Sequence, residues 1–277
     1  MKAKRMSMLL FAAGMMALLA GCTKNTNDHT GTLKVLVTDA PFPIEYIDEA
    51  TVTITKVEVR MVSDSSDAVF KTVMEDTVTV NLLDLRNGIT DDLAEAELEP
   101  GTYDLVRIYV SDASLSIIGG ETFDLKVPGG EQTGIKVFIS PAVEITGGLT
   151  SELLLDFNLD KSFILKGNWL TPAGIKGFSF KPVIRAVNTS TAGTIAGTVS
   201  SSLTSDPLAG ASVWVARDTT LASTQSDSAG YYALPGIPAG SWSVFATAEN
   251  YDTVHYENVS VTAGNRLTLD FELTPKE

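Results

Sequence analysis

The segment PGTYDLVRIYVSDASLSIIGGETF, which runs from Pro100 to Phe123, carries the clearest structural signal in the chain. Within it the apolar residues Val106, Ile108 and Val110 alternate with more polar ones, and this period of two predicts a half-buried β-strand. The pair Gly119-Gly120 then predicts a tight turn that closes a β-hairpin. The segment therefore predicts antiparallel β-structure at the centre of the first half of the chain.

On both sides of this segment, other stretches show the same alternation, and turn signals rich in glycine and proline separate them. The clearest of these stretches are Leu33-Val35-Val37, Leu153-Leu155-Phe157-Leu159 and Phe178-Phe180-Pro182-Ile184. One piece is helix-like instead: it runs from about Asp91 to Glu97 and ends before Pro100-Gly101. An all-β fold follows.

The alternation changes phase between Ala50 and Val62. Val52 and Ile54 share one parity, whereas Val57 and the apolar residues after it take the other. One extra residue near Thr55-Lys56 would return both halves to the same core, which is what a β-bulge does. We therefore predict a bulge or a strand break at this point.

The composition and the length of the segments change after a polar patch at Asn188-Thr189-Ser190-Thr191. The later segments are shorter and richer in glycine and proline, and turn signals about 8–12 residues apart predict a small antiparallel sandwich. We therefore predict two antiparallel β-sandwich domains, over residues 31–188 and 193–274, joined by a linker at 189–192. Gly210 and Gly230 fall at turns that need positive φ, and Asp227 can cap its own turn.

The chain begins with three parts: basic Lys2, Lys4 and Arg5, an apolar run, and small residues before Cys22. This is the layout of a secretory signal peptide over residues 1–21, because the run is shorter than the roughly 20 residues of a membrane-spanning helix. LAGC, ending at Cys22, also resembles the bacterial lipobox, which implies a lipid on the Cys22 thiol and a polar tether over 22–30. An ordinary signal peptide with an incidental cysteine is the alternative.

The charge balance limits the partners. The full chain has 20 basic and 34 acidic residues and a net charge of −14. Three of the basic residues lie in the predicted leader, which has no acid, so the mature chain would carry 17 basic against 34 acidic residues. Because such a surface repels a phosphate backbone, we predict no nucleic acid as a partner.

The two predicted domains each resemble a known family. Four stretches follow one another from Gly193: GTIAGTV, PLAGASV, DSAGYY and PAGSW. Together they closely resemble the carboxypeptidase regulatory-like family, which implies a prealbumin-like, carbohydrate-binding-like sandwich. Residues 31–187 are similar to a bacterial lipoprotein family known as a domain of unknown function, through GTLKVLVTDAP, NLLDL, PGTYDLVRIYV, LLLDFNLDKSF and FKPVIRAV. This second resemblance brings no activity with it. Thr23, rather than Asp, follows Cys22, and the similarity to the enterobacterial sorting rule for lipoproteins implies the outer membrane.

The residues for enzymatic chemistry are few. Only His29 and His255 are present, His29 in the tether, so neither a zinc-peptidase site nor a Ser-His-Asp triad is predicted. A pair of carboxylates could still act on a glycan. The acids at motif-like points of the first domain are Asp39, Asp84, Asp156 and Asp160. We interpret Asp39 as a backbone cap and Asp156 as part of a solvated face, so we predict no enzyme, no metal and no cofactor.

A binding function fits the sequence better. Val213 and Val215 should face the core, so Trp214 between them should point outward, and an exposed aromatic face binds sugar rings well. Tyr231 and Tyr251 could complete a platform around Trp214. The alternative is that Trp214 packs against the first domain. Trp242 shares its parity with Val244 and is predicted to lie in the core.

Three functions are compatible with these features of the sequence. The first is a lipid-anchored, non-enzymatic envelope protein that recognises polysaccharide through its second domain. The second is a structural spacer, or a subunit that contacts another envelope protein. The third is a weak glycan hydrolase that uses carboxylates of the first domain.

Overall fold

A computed structural model describes residues 30–40, 46–63, 69–168, 171 and 174–276. The predicted signal peptide, Cys22 and the tether up to residue 29 lie outside these residues. The first domain contains β1 (Gly31–Ala40), β2 (Ile47–Met61), β3 (Val69–Met74), β4 (Val78–Asn81), β5 (Asp91–Leu98), β6 (Gly101–Ile117), β7 (Thr122–Leu125), β8 (Ile135–Ile145), β9 (Thr150–Asn158), β10 (Phe163–Gly167), β11 (Ile175–Phe180) and β12 (Ile184–Asn188). A short helix, α1 (Leu159–Ser162), follows β9, and a 3-10 turn, Leu82–Leu85, follows β4. No helix in this part of the chain is long and apolar enough to cross a membrane.

Ten of these strands form one sheet in the order β3-β2-β6-β8-β12-β9-β1-β5, with β4 paired to β2 and β7 paired to β6. The sheet curls so that β3 and β5, at the two ends of this order, come into contact. Most neighbours are antiparallel, but β1 with β9 and β8 with β12 are parallel. The predicted all-β class is confirmed, and the curled sheet encloses a single large core.

The alternation predicted along the central strands holds. In β6, Val106, Ile108 and Val110 are buried. The phase change predicted in β2 is a bulge: Ile54 pairs with Val110 and Lys56 pairs with Tyr109, so Thr55 is the extra residue. The hairpin predicted around Gly119-Gly120 is formed by β6 and β7.

The helix predicted over Asp91 to Glu97 is wrong. This segment is strand β5, which pairs antiparallel with β1 at the edge of the sheet. Leu93 and Leu98 are buried, and Ala94 and Ala96 pack against the same core. Alanine and glutamate favour helices, but a piece this short gains more from pairing and burial than from its intrinsic propensity.

The second domain is a sandwich of two small sheets. Its strands are β13 (Ala192–Ser201), β14 (Ser212–Ala216), β15 (Thr220–Gln225), β16 (Tyr231–Pro238), β17 (Gly240–Thr247), β18 (Val254–Val261), β19 (Arg266–Thr268) and β20 (Phe271–Leu273). One sheet has the order β16-β13-β19, with β20 also on β13, and the other has the order β15-β14-β17-β18. Their inner faces enclose a second core.

The turns of the second domain form where the sequence predicts them. Gly210 and Gly230 have φ of 71° and 75°, as predicted. The carboxylate of Asp227 accepts hydrogen bonds from the backbone N–H groups of Ala229 and Tyr231, at 2.9 and 3.0 Å. This is the predicted cap.

The polar patch between the domains is a 3-10 turn, Thr189–Thr191, rather than an extended linker. The side chain of Asn188 caps this turn and donates to the Ala142 carbonyl at 2.8 Å. Thr189 donates to the Glu152 carbonyl at 3.2 Å. These bonds fasten the connection to the first domain.

Side chains of the first domain also bind the backbone of β16. Asn87 follows the Leu82–Leu85 turn, and its amide donates to the Tyr231 carbonyl at 3.1 Å and accepts from the Ala233 N–H at 2.7 Å. Arg185 donates to the Gly236 carbonyl at 2.6 Å. Because β16 is the outer strand of its sheet, these contacts occupy groups that a further strand would otherwise bind.

Candidate functional site

A row of three aromatic rings crosses the outer face of the sheet β15-β14-β17-β18. The register pairs Trp214 with Phe245 and Phe245 with His255, so one side chain from each of three adjacent strands falls in line. The rings of Trp214 and Phe245 are stacked, with centroids 5.2 Å apart and planes at 5°. Phe245 and His255 are stacked at 5.4 Å and 19°. We call these three residues the aromatic row.

Strand alternation places the row outside the core. Val213 and Val215 are fully buried, so Trp214 between them lies on the other face and is half-buried. Val244 and Ala246 are buried in the same way on either side of Phe245. The predicted outward direction of Trp214 is therefore found in the structure, and the ring that covers it is Phe245 of the same sheet.

The stacking leaves particular surfaces open. Phe245 is enclosed between Trp214 and His255, so its ring presents mainly an edge to solvent. Trp214 is covered by Phe245 on one side, and its partner on β15 is Ser223, whose side chain is too short to cover an indole. His255 is on the edge strand, with half of its side chain exposed (51%). The row therefore forms a ridge on the outer face, with the short side chain of Ser223 beside Trp214.

Small hydroxyl side chains surround the row. Ser212 lies two residues before Trp214, and Ser243 and Thr247 lie two residues to either side of Phe245, so alternation puts all three on the outer face. Short hydroxyls donate and accept hydrogen bonds at little entropic cost. An apolar ridge flanked by hydroxyls matches the mixed surface of a sugar.

The two tyrosines predicted to join Trp214 do not lie beside it. Tyr231 is on β16, in the opposite sheet of the sandwich, where its hydroxyl contacts Arg266. Tyr251 forms a bridge with Pro275 and packs against the second core. A platform of Trp214, Tyr231 and Tyr251 is therefore wrong, because the outer faces of two packed sheets point in opposite directions.

Phe245 and His255 are the members of the row that the sequence did not reveal. The parity of Trp242, Val244 and Ala246 already implied that Phe245 points outward. What the sequence could not supply was the register, which sets Phe245 opposite Trp214 and His255 opposite Phe245.

Trp242 lies in the core, as predicted, with 9% of its surface exposed. Its indole N–H donates to the Pro238 carbonyl at 2.8 Å. The guanidinium of Arg217 lies over the ring, 4.3 Å from its centroid, and donates to the Ser241 carbonyl at 2.9 Å. Together with Ser243, these residues line a shallow cleft beside the aromatic row.

The candidate acids of the first domain are dispersed. Asp84 and Asp160 are exposed. Asp39 and Asp156 are buried on adjacent parallel strands, but Asp39 pairs with Phe157 and Asp156 pairs with Thr38, so the two acids point to opposite sides of the sheet. The described residues contain no group of three or more acids, histidines or cysteines that could hold a metal ion.

The solvated role predicted for Asp156 is wrong. Its carboxylate accepts from Arg185 at 2.6 and 3.1 Å, and Arg185 in turn donates to the Gly236 carbonyl of the second domain. The alternation did place Asp156 on the outer face, as expected. The second domain covers that face, so Asp156 holds the junction together.

A buried polar cluster lies on the outer face of β2 and β6. Glu58 contacts Lys56 at 2.8 Å, Arg107 at 3.3 Å and the Tyr109 hydroxyl at 3.0 Å. Burial by itself raises the pKa of Glu58, but the hydrogen bonds from Lys56 and Tyr109 outweigh it and hold that pKa below its usual value. Arg107 also lies over the Phe70 ring at 3.6 Å.

Comparisons with known proteins divide the chain at the same place. The model of the family described as "Domain of unknown function (DUF4382)" matches residues 30–182. The model described as "Carboxypeptidase regulatory-like domain" matches residues 194–274. The predicted order of the two families is confirmed. No curated protein matches this chain.

Three solved structures are similar in part. The TIE protein of Bacillus anthracis shares 13% identity, with 89% of this chain and 34% of that chain covered and a TM-score of 0.26. A cohesin–X-dockerin complex of Acetivibrio cellulolyticus shares 33% identity, over 30% of this chain and 55% of that chain, with a TM-score of 0.24. The shaft pilin SpaA of Lactobacillus rhamnosus GG shares 11%, over 90% and 98%, with a TM-score of 0.28. This chain spans about a third to a half of the length of the first two. TM-scores this low carry no argument about function.

Proposed function

The chain belongs to the family described as domain of unknown function DUF4382, and from this premise we propose that it is a non-catalytic, lipid-anchored protein of the bacterial cell envelope that recognises polysaccharide. The second sandwich, of the non-catalytic carboxypeptidase regulatory-like kind, carries the binding surface. The aromatic row Trp214–Phe245–His255 is the observation on which this proposal rests.

The chemistry of the row favours a sugar over other ligands. The apolar face of a pyranose ring loses its water readily against an aromatic surface, and nearby hydroxyls replace the hydrogen bonds of its rim. The half-buried indole of Trp214, beside the short side chain of Ser223, provides the aromatic surface, and Ser243 and Thr247 provide the hydroxyls. The ridge is solvent-facing and shallow, which suits an extended polymer more than a small molecule held in a deep cavity.

Asp39 and Asp156, the two buried candidate acids of the first domain, do not face one another. A glycan hydrolase needs two carboxyl groups facing one another across the bond that is cleaved. Asp39 and Asp156 point to opposite sides of the sheet, and Asp156 is bound by Arg185. This arrangement supports a binding function.

The lipid anchor and the outer membrane remain proposals that rest on the sequence around Cys22. Acyl chains on a new N-terminal cysteine would hold the protein at a bilayer, since each buried methylene contributes about 0.8 kcal/mol. Mass spectrometry of the N-terminal peptide from native membranes tests this point. We expect acylated Cys22, and an unmodified thiol on a retained or differently cleaved leader would refute the anchor.

A rigid spacer is a second candidate, favoured by the junction between the domains. Asn87 and Arg185 bind the backbone of β16, and the apolar residues Leu154, Val187 and Ala192 pack together beside Gly236. A junction fixed by polar and apolar contacts holds the second domain at a constant orientation. Under this reading the aromatic row would bind another envelope protein, or nothing.

Retention on polysaccharides separates the two candidates. The protein would be tested on a glycan array and by affinity electrophoresis in gels that contain envelope polysaccharide. We expect retention that Trp214→Ala abolishes. The matched control is Phe138→Ala, because Phe138 is an exposed aromatic residue (69%) on β8 of the first domain. No retention of either protein would favour the spacer, whereas equal retention of the wild type and Trp214→Ala would place sugar binding on another surface.

A further inference from the structure

A basic surface stands out in this acidic chain. Between Lys161 and Arg185 there are five basic residues and no acidic one, although the whole chain has 34 acids against 20 bases. Four of these bases, Lys161, Lys166, Lys176 and Lys181, are exposed. The fifth, Arg185, is bound to Asp156 and does not contribute.

Two of the four lysines, Lys166 and Lys176, lie on one hairpin. Strands β10 and β11 form a two-stranded sheet of their own, with Phe163 paired to Phe180 and Lys166 paired to Gly177. Lys176 is next to Gly177, where the register shifts, so it lies near Lys166 across the hairpin. The surface is defined by the four lysines alone.

The other two lysines lie at the base of the same hairpin. Lys161 is in α1, and the backbone N–H of Lys181 donates to the carbonyl of Ser162 at 2.8 Å. The base and the Lys166–Lys176 end are separated by the five residue steps from Lys176 to Lys181, or about 16 Å. The surface thus has two pairs of positive charges spaced along an extended element.

The inner face of the hairpin is fixed, so the lysines are held in place. Phe163, Ile175, Phe178 and Phe180 are buried in the first core. Phe178 also packs edge-on against Phe123 of β7, with centroids 5.6 Å apart. The side chains that alternate with this face point to solvent, including Ile164, which is 53% exposed.

The lysines also lack the partners that other cations of the domain have. Lys34, Lys56 and Lys71 each form an ion pair within 3.2 Å. None of the four hairpin lysines has an ion pair among the described residues. Two pairs of exposed lysines without an ion pair among the described residues attract a polyanion at low salt, and the one acid that adjoins them in the sequence is Asp160.

The hairpin lies at one end of the first domain. β9 runs parallel to β1 and leads through α1 into β10, so the hairpin is at the end of β1 opposite to Thr30.

We propose that the β10–β11 hairpin is a binding surface for an acidic polysaccharide, which it contacts with Lys161, Lys166, Lys176 and Lys181. The spacing of the two lysine pairs fits a linear polymer with repeated carboxylates better than a single anion. Lysine, a flexible and strongly hydrated charge, suits such contacts without fixed geometry. This surface is separate from the aromatic row and does not depend on it.

The test measures the Kd of a fluorescently labelled uronate oligomer by anisotropy, at about 50 and about 300 mM salt. We expect binding that weakens at high salt. The double variant Lys166→Gln/Lys176→Gln should weaken it about tenfold at low salt, or about threefold per lysine. The matched control is Lys126→Gln/Lys136→Gln, which removes the same charge from two exposed lysines that also lack ion pairs among the described residues. The control should stay within about twofold of the wild type.

Three results would overturn the proposal. The first is no binding of the uronate oligomer by the wild type. The second is an equal loss in the two double variants, which would reflect net charge alone. The third is binding to phosphatidylglycerol vesicles without binding to the oligomer, which would make the surface a membrane contact. Trp214→Ala should leave uronate binding unchanged, so failure here is distinguishable from failure of the aromatic row.

Discussion

Asn87 of the first domain accepts a hydrogen bond from the backbone N–H of Ala233 in the second, at 2.7 Å. The same amide donates to the Tyr231 carbonyl, so one side chain pairs with β16 much as a neighbouring strand would. Asn87 has a φ of 61° and Gly88 a φ of 76°, and this turn points the amide at the second domain. A turn of the first domain thus completes the edge of a sheet in the second.

The first prediction concerns the two hydrogen bonds between the Asn87 side chain and β16. Asn87→Gly keeps the positive φ available and removes only the side chain, so it should lower the free energy of unfolding by about 1–3 kcal/mol. The Ala233 N–H loses its partner, while the Tyr231 carbonyl keeps the Asp227 N–H. Urea denaturation measures this. The control is Asn250→Gly, an exposed asparagine with a φ of 63°. Equal effects of the two variants would mean that the Asn87 hydrogen bonds contribute nothing to the free energy of unfolding.

The second prediction concerns the apolar contact at the junction. A Cβ on Gly236, which has a φ of 66°, would lie 3.1 Å from Leu154 Cδ2 and 3.4 Å from Val187 Cγ1. Gly236→Ala should therefore destabilise the protein by about 1 kcal/mol more than Gly210→Ala. Gly210 has a φ of 71° but open space around it, so it carries the same backbone strain without the crowding.

Thermal denaturation of the two glycine variants provides the measurement. A single cooperative transition in the wild type would agree with domains that unfold together. If Gly236→Ala and Gly210→Ala have the same midpoint, the two domains do not pack at this position as described.

The third prediction is a pH dependence set by Glu58. Because its pKa is held below the unfolded value by Lys56 and Tyr109, the carboxylate stabilises the fold fully above the unfolded pKa, near 4.3. This contribution is lost as the pH falls through the lower, folded pKa. Glu58→Gln should cost about 2 kcal/mol near neutral pH and little at low pH.

Urea midpoints taken from about pH 7 down to about pH 3 test this, with Glu121→Gln as an exposed control on the β6–β7 turn. The Glu58→Gln curve should be flatter than that of the wild type. Parallel curves would show that the Glu58 cluster does not lower the pKa.

The fourth prediction separates the aromatic row from the tyrosines. Phe245→Ala removes the ring that supports both Trp214 and His255, so it should reduce polysaccharide retention nearly as much as Trp214→Ala. Tyr231→Phe and Tyr251→Phe should leave retention unchanged, because these side chains lie elsewhere in the sandwich. Retention lost with either tyrosine, and kept in Phe245→Ala, would place the binding surface on another face.

Local patterns in the sequence predicted the parts of the fold that depend on local physics. The alternation in β6, the bulge at Thr55 and the turns at Gly210 and Gly230 each follow from the residues that form them. The segment Asp91 to Glu97 failed for the opposite reason. Its strand is imposed by pairing with β1, far away in the sequence.

The candidate site was predictable only in part. Alternation alone points Trp214 outward, but the row depends on which residue of β17 and β18 falls opposite it, and that register is set by the whole sheet. The same limit applies to Asp156. The sequence predicted that its side chain points outward, but it did not predict that the second domain covers that side chain. Residues at a junction cannot be recognised until both sides of it are known.

The most decisive experiment for sugar recognition is an NMR titration of the tryptophan indole N–H signals with the oligosaccharide that the array retains best. We predict that the Trp214 signal shifts on binding. The Trp242 signal, from an indole that is buried and bonded to the Pro238 carbonyl, should stay in place. A Trp214 signal that does not move while the sugar binds would contradict the assignment of the aromatic row as the binding surface.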